Sequence, residues 1–151
     1  MIPALLVLML QAPSPVCTAT VAPPAGLEAW STVLAITKGP IAIGKGTGVR
    51  LQPVEKVVFT ATPGRTSKSG SFGGVYQFNV ATAGTYRIAL EAAAWIDVVF
   101  DGKSLESIAH AEGPACSGIR KIVDFTLSPG RYSLQLSGAK DSPMRVLIVP
   151  K

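Results

Sequence analysis

The chain has 151 residues, 48% of them hydrophobic and only 15% charged, with 15 glycines, 12 prolines and a formal net charge of +5. That length suits one domain with a core of its own, and many turn residues with few charges suit sheets better than helices, whose surfaces are built from Glu, Lys and Arg. The fourteen basic residues are scattered from Lys38 to Lys151, with only Arg120-Lys121 adjacent; this argues against a nucleic-acid binder, which would cluster them on one face, and reads as solubility charge with a mild pull toward anionic surfaces.

The first ten residues are almost wholly apolar and include the run Ala4-Leu5-Leu6-Val7-Leu8-Met9-Leu10. That is the length of a secretory h-region and too short to span a bilayer, so residues 1–22 are predicted to be a signal peptide, with no transmembrane span in the mature chain. Cleavage could follow Ala12, Ala19 or Ala22. The choice decides the fate of the two cysteines, Cys17 and Cys116, which in an exported chain are expected to pair; a later cut would leave Cys116 alone. The predicted compartment is periplasmic or secreted.

Residues 26–151 are predicted to form a single all-β domain, an antiparallel β-sandwich or jelly roll of about ten short strands. The strand-like runs are 32–36, 48–52, 56–61, 75–80, 85–91, 95–101, 104–109, 121–127, 131–137 and 144–149, separated by turn signals such as Pro63-Gly64, Asp101-Gly102 and Pro129-Gly130. Tyr86, Ile88 and Leu90 alternate with Thr85, Arg87 and Ala89, and Tyr132, Leu134 and Leu136 with Ser133, Gln135 and Ser137; period two with one apolar face is a half-buried antiparallel strand. The expected core is Val58, Tyr76, Phe78, Tyr86, Ile88, Leu90, Ile96, Val98, Phe100, Phe125, Tyr132, Leu134, Leu136 and Val146. Asp101-Gly102 predicts a tight hairpin after Phe100. An internal echo is present as well: Phe78-Asn79-Val80 leads to Gly84-Thr85-Tyr86, and Phe125-Thr126-Leu127 leads to Gly130-Arg131-Tyr132, which reads as two hairpins built alike.

The chemistry-bearing residues are few. There is one histidine, His110, and no CxxC, HExxH, GxSxG or Walker pattern. His110 and Glu112, completed by Asp97, Asp101 or Asp124, could hold a metal; His110 could activate Cys116, or Ser117 if placed by Asp97 or Asp124, as a nucleophile. None of these spacings is specific, and no catalytic residue, metal or cofactor is predicted. A surface is the stronger feature. With Ile96, Val98 and Phe100 inward, Trp95, Asp97, Val99 and Asp101 point outward, and a Trp beside a carboxylate on a sheet face is a stacking-plus-hydrogen-bond pair suited to sugars. The alternative is that Trp95 lies under a loop, such as the long one at 109–119. Residues 109–121 form the densest polar loop, and loops carry binding function more often than strands do. The candidate ligand-binding set is therefore Trp95, Asp97, His110 and Arg120, with a glycan or an envelope protein as partner.

Trp95-Ile96-Asp97-Val98-Val99, Gly113-Pro114-x-Cys116-Ser117-Gly118-Ile119-Arg120-Lys121, Asp124-Phe125 and Pro129-Gly130-Arg131-Tyr132 resemble a family of small exported proteobacterial proteins over residues 26–149. Some of its members carry the label homogentisate 1,2-dioxygenase. That activity, the enzyme alternative to a binding module, belongs to a much longer cupin-type protein whose iron needs two histidines and a carboxylate, and one histidine cannot supply them. More loosely, the Gly-x-Tyr segments look like the β-sandwich modules attached to secreted peptidases and glycosidases, which bind or stabilise and do not catalyse.

Overall fold

Apolar alternation with short Gly- and Pro-rich turns builds two stacked sheets. The computed structural model describes residues 16–32 and 36–151; the predicted signal peptide up to residue 15, and most of the predicted 32–36 strand, lie outside them. The strands are β1 (Ile36–Thr37), β2 (Thr47–Val49), β3 (Gln52–Pro53), β4 (Phe72–Val80), β5 (Gly84–Leu90), β6 (Trp95–Phe100), β7 (Lys103–Ser104), β8 (Ala109–Ala111), β9 (Lys121–Leu127), β10 (Gly130–Ala139) and β11 (Met144–Pro150). Sheet one runs β1-β2-β11-β5-β9-β8 and sheet two β3-β4-β10-β6-β7. All described pairs are antiparallel except β1 with β2. This is an all-β sandwich.

The core between the sheets contains twelve of the fourteen expected residues, Phe78, Ile88, Leu134 and Val146 among them. Two expectations are corrected. Val58 is 88% exposed, and Phe100, at the end of β6, is 45% exposed; Phe100 tilts against Tyr132 with ring centroids 5.1 Å apart and leaves its other side to solvent. The run 56–61 is no strand. Its start belongs to a short 3-10 turn, Val54–Lys56, and the backbone of Thr60 and Ala61 bonds to the Gln135 side chain instead of a sheet ladder. The Asp101-Gly102 turn forms as expected: both residues have positive φ, 50° and 73°, and Phe100 pairs with Lys103 across it.

The internal echo is real in the fold but is not a pair of hairpins. β4 lies in sheet two and β5 in sheet one; β9 lies in sheet one and β10 in sheet two. Each connection therefore crosses between sheets. Tyr86 Oη donates to Thr82 O at 2.6 Å, and Tyr132 Oη donates to Ser128 O at 2.7 Å. Both tyrosines are buried, so each fixes a corner by satisfying its hydroxyl four residues back, as tyrosine corners do in sandwich folds. The halves then pair with one another: Phe78 opposes Tyr132 and Phe125 opposes Tyr86.

Both outer faces are covered in part. On sheet one, Leu27 and Trp30 pack on Ala89, Ile122, Leu147 and Val149 in a second apolar cluster. Cys17 is bonded to Cys116, and Val21 N–H donates to Cys116 O at 2.9 Å, so the chain from residue 17 onward is tied to the sandwich. On sheet two, residues 60–64 lie over β6 and β10. Covering explains why Ile96 to Val99, Ile122 to Phe125 and Val146 to Val149 are buried without a break: along those stretches neither face meets solvent. Among the described residues, no helix is long and apolar enough to cross a membrane.

Candidate binding cleft

β6 and β10 run side by side, with Trp95 opposite Ser137 and Asp97 opposite Gln135. All four point away from the core, as alternation predicts, but the face is not open. Gln135 is fully buried and its side-chain oxygen accepts from Thr60 N–H (2.7 Å), Thr60 Oγ1 (3.0 Å) and Ala61 N–H (3.1 Å), while its amide donates to Ala61 O (3.0 Å). Asp97 Oδ1 accepts from Trp95 Nε1 at 3.0 Å and Oδ2 from Gly64 N–H at 3.1 Å. A Cβ on residue 64 would lie 2.8 Å from Trp95 Nε1 and 3.0 Å from Asp97 Oδ1, so only glycine lets the backbone come this close. Trp95 does lie against a loop, but that loop is the segment through Gly64. Asp97, 6% exposed, is occupied in holding Trp95 and the loop.

Beyond Gly64 the chain opens away, leaving a cleft of about 610 Å³ at the end of the sandwich. Residues 65–71 form one wall. Ala93, Ala94 and Trp95, with residues 137–140, form the side from sheet two; His110, Glu112, Arg120 and Lys121 form the side from sheet one. Three of the four candidate residues, Trp95, His110 and Arg120, therefore line one cleft, with Asp97 behind Trp95. His110 reaches it because β8 is an edge strand and His110 is in register with core-facing Val123.

The cleft is basic. Arg65, Lys68, Arg120, Lys121 and Lys140 line it, against Glu112 as its one carboxylate. Glu112 is already bonded to Arg120 at 2.7 Å, both side chains exposed. Arg65 Cζ and Lys121 Nζ lie over the Trp95 ring, 5.1 and 5.3 Å from its centre, and Lys121 Nζ also donates to Ala94 O at 2.8 Å. Burial, and then the nearby Arg65 charge, lower the Lys121 pKa, with Asp97 opposing. Ser137, 2% exposed, has a buried hydroxyl with no hydrogen-bond partner among the described residues. The fold thus gathers five of the scattered basic residues around one cleft. Sequence reasoning missed Arg65, Lys68, Lys121 and Lys140 because they come from three distant segments; the adjacent Arg120-Lys121 pair was the only signal.

The nucleophile candidates are otherwise engaged. Cys116 is in the disulfide, and Ser117, 4% exposed, donates its hydroxyl to Pro114 O at 2.6 Å. Asp124 is buried on the other face of sheet one, bonded to Arg87 and Lys151, each at 3.0 Å. Among the described residues, no three His, Cys, Asp or Glu side chains gather as metal ligands. His110 and Glu112 share the cleft, but Glu112 faces Arg120, so this donor set does not fit a two-histidine, one-carboxylate iron site. Fold and cleft together define the class: an all-β sandwich with a basic, Trp-floored cleft at one end. No family model and no curated protein matches the chain.

Proposed function

We propose that this protein is a non-catalytic, exported binding module of the cell envelope, and that the cleft around Trp95 is its glycan-binding site. The observation that carries the reading is the gathering of Trp95, His110 and Arg120 in one cleft whose floor is held from behind by Asp97. A volume of about 610 Å³ falls in the range of sites that enclose small ligands. The hydroxyl-bearing residues Thr66, Ser67 and Ser69 line it, a chemistry suited to a hydroxyl-bearing partner. The groups that could act as nucleophiles serve structural bonds instead, which favours binding over turnover.

Export is supported by the apolar leader and by the disulfide, since such bonds persist in oxidising compartments. A paired Cys17 favours a signal cut ahead of it, after Ala12. The resemblance to small exported proteobacterial proteins agrees with this reading, and the iron chemistry of the dioxygenase label does not. A glycan array probed with wild type and Trp95→Ala tests the proposal. The expected result is binding by wild type that falls at least about tenfold in the variant, the scale of losing a residue central to a site, since the ring holds up Arg65 and Lys121. No binding of any glycan by wild type would overturn it.

A further inference from the structure

The chemical class of that ligand follows from the charges. Resting on the glycan reading above, we infer that the cleft selects acidic saccharides, those bearing carboxylate or sulfate groups, over neutral ones.

Five cationic side chains converge on one cleft, and a single carboxylate faces them. Among the described residues, Arg65, Lys68 and Lys140 have no carboxylate within ion-pair distance; the three ion pairs present use Arg87, Arg120 and Lys151. Gathering like charges costs stability, and a fold that does so without partners leaves a positive potential that focuses an anion. Two of the five are held in place against the cleft floor. Lys121 is fixed by Ala94 O and the Trp95 ring, and Arg65 lies over the same ring.

Trp95 therefore has a different role from an open sugar platform. Its ring carries two cations, its Nε1–H is bonded to Asp97, and it acts as the base on which Arg65 and Lys121 are presented. The half-buried Lys121 charge, disfavoured by desolvation and by Arg65, gains from an anion placed between them. The planar Arg guanidinium suits a carboxylate or sulfate edge. Two features favour a saccharide over another polyanion. The lining carries the hydroxyl-bearing residues Thr66, Ser67, Ser69 and Ser71. The site is also a confined cleft, unlike the extended basic track that follows a nucleic-acid backbone.

The test is calorimetric titration of the whole chain with a galacturonate tetrasaccharide, its neutral methyl ester, a heparin-derived tetrasaccharide and an oligothymidylate. The variants are the double reversal Lys68→Glu/Lys140→Glu, the milder Lys68→Gln/Lys140→Gln, and the control Lys103→Glu on β7, outside the cleft. One or both acidic saccharides should bind. The methyl ester should bind at least about tenfold more weakly than the galacturonate. The double reversal should weaken acidic binding about tenfold or more, the glutamine pair less, and Lys103→Glu not at all. Raising salt should weaken binding progressively. Equal binding of acid and ester, or no effect of either double variant, overturns the charge selectivity while leaving a glycan site in place. No binding of any saccharide overturns both readings, and tighter binding of the oligothymidylate overturns the saccharide assignment.

Discussion

Gly64 carries more consequence than its size suggests. It is the point where the covering loop touches Trp95 and Asp97, with no room for a side chain. Gly64→Ala must push either the loop or the indole away. We expect a loss of about 1–3 kcal/mol in urea unfolding, the scale of overpacking, together with weaker cleft binding, although residue 64 touches no ligand. Asp97→Asn replaces one of two acceptors by a donor that faces an N–H. It should cost about 2 kcal/mol, as an unsatisfied partly buried bond does, and a titration should show reduced saccharide affinity. Unchanged stability and affinity in Asp97→Asn would remove its positioning role. Neither role is legible in the sequence. The pairing of Trp95 with Asp97 on one face follows from alternation; that Asp97 would be enclosed depends on a loop thirty-three residues earlier.

The covering segments explain where pattern reading works on whole elements and where it stops. Strands β5, β9, β10 and β11 were legible within a few residues because their apolar positions recur at period two or run unbroken between turn signals. The run 56–61 has the same apolar look, Val57-Val58-Phe59, yet its backbone is bonded by one buried glutamine. No local pattern distinguishes a strand from an extended segment held by a distant side chain. The echo was legible as a repeat but not as a crossing, because a Gly turn followed by Tyr fits a hairpin and a corner equally. Gln135→Ala tests the arrangement. It strips the partners from Thr60 and Ala61, so residues 57–67 should become the first site of proteolytic nicking and of amide exchange, with a stability loss of about 2–3 kcal/mol. Exchange that is faster everywhere except this segment would contradict it.

For the molecule as a whole, two ties hold the N-terminal segment and sheet one. The disulfide joins residues 99 apart in sequence. Reducing it, or making Cys17→Ser/Cys116→Ser, should cost about 2–4 kcal/mol and weaken cleft binding, because Cys116 lies in the loop between Glu112 and Arg120. The second tie is Asp124, 2% exposed as a side chain. Burial alone would raise its pKa, but hydrogen bonds and charge from Arg87 and Lys151 outweigh this and hold it below the usual carboxylate value. A lowered folded pKa gives stability that is present above the unfolded value, about 4, and is lost as pH falls through the folded one. Urea midpoints should therefore decline below about pH 4 in wild type. Asp124→Asn should be less stable at neutral pH, and its decline with acid should be shallower; parallel curves for the two proteins would contradict this assignment.

The account rests on the cleft beside Trp95 being the place where a ligand sits. Amide chemical-shift mapping during titration with the acidic tetrasaccharides tests that most directly. The predicted shifts cluster at residues 65–71, 93–95, 110–112, 120–121 and 137–140, the walls of the cleft. Shifts confined to another surface, such as the β6–β7 hairpin around Asp101-Gly102, would contradict it.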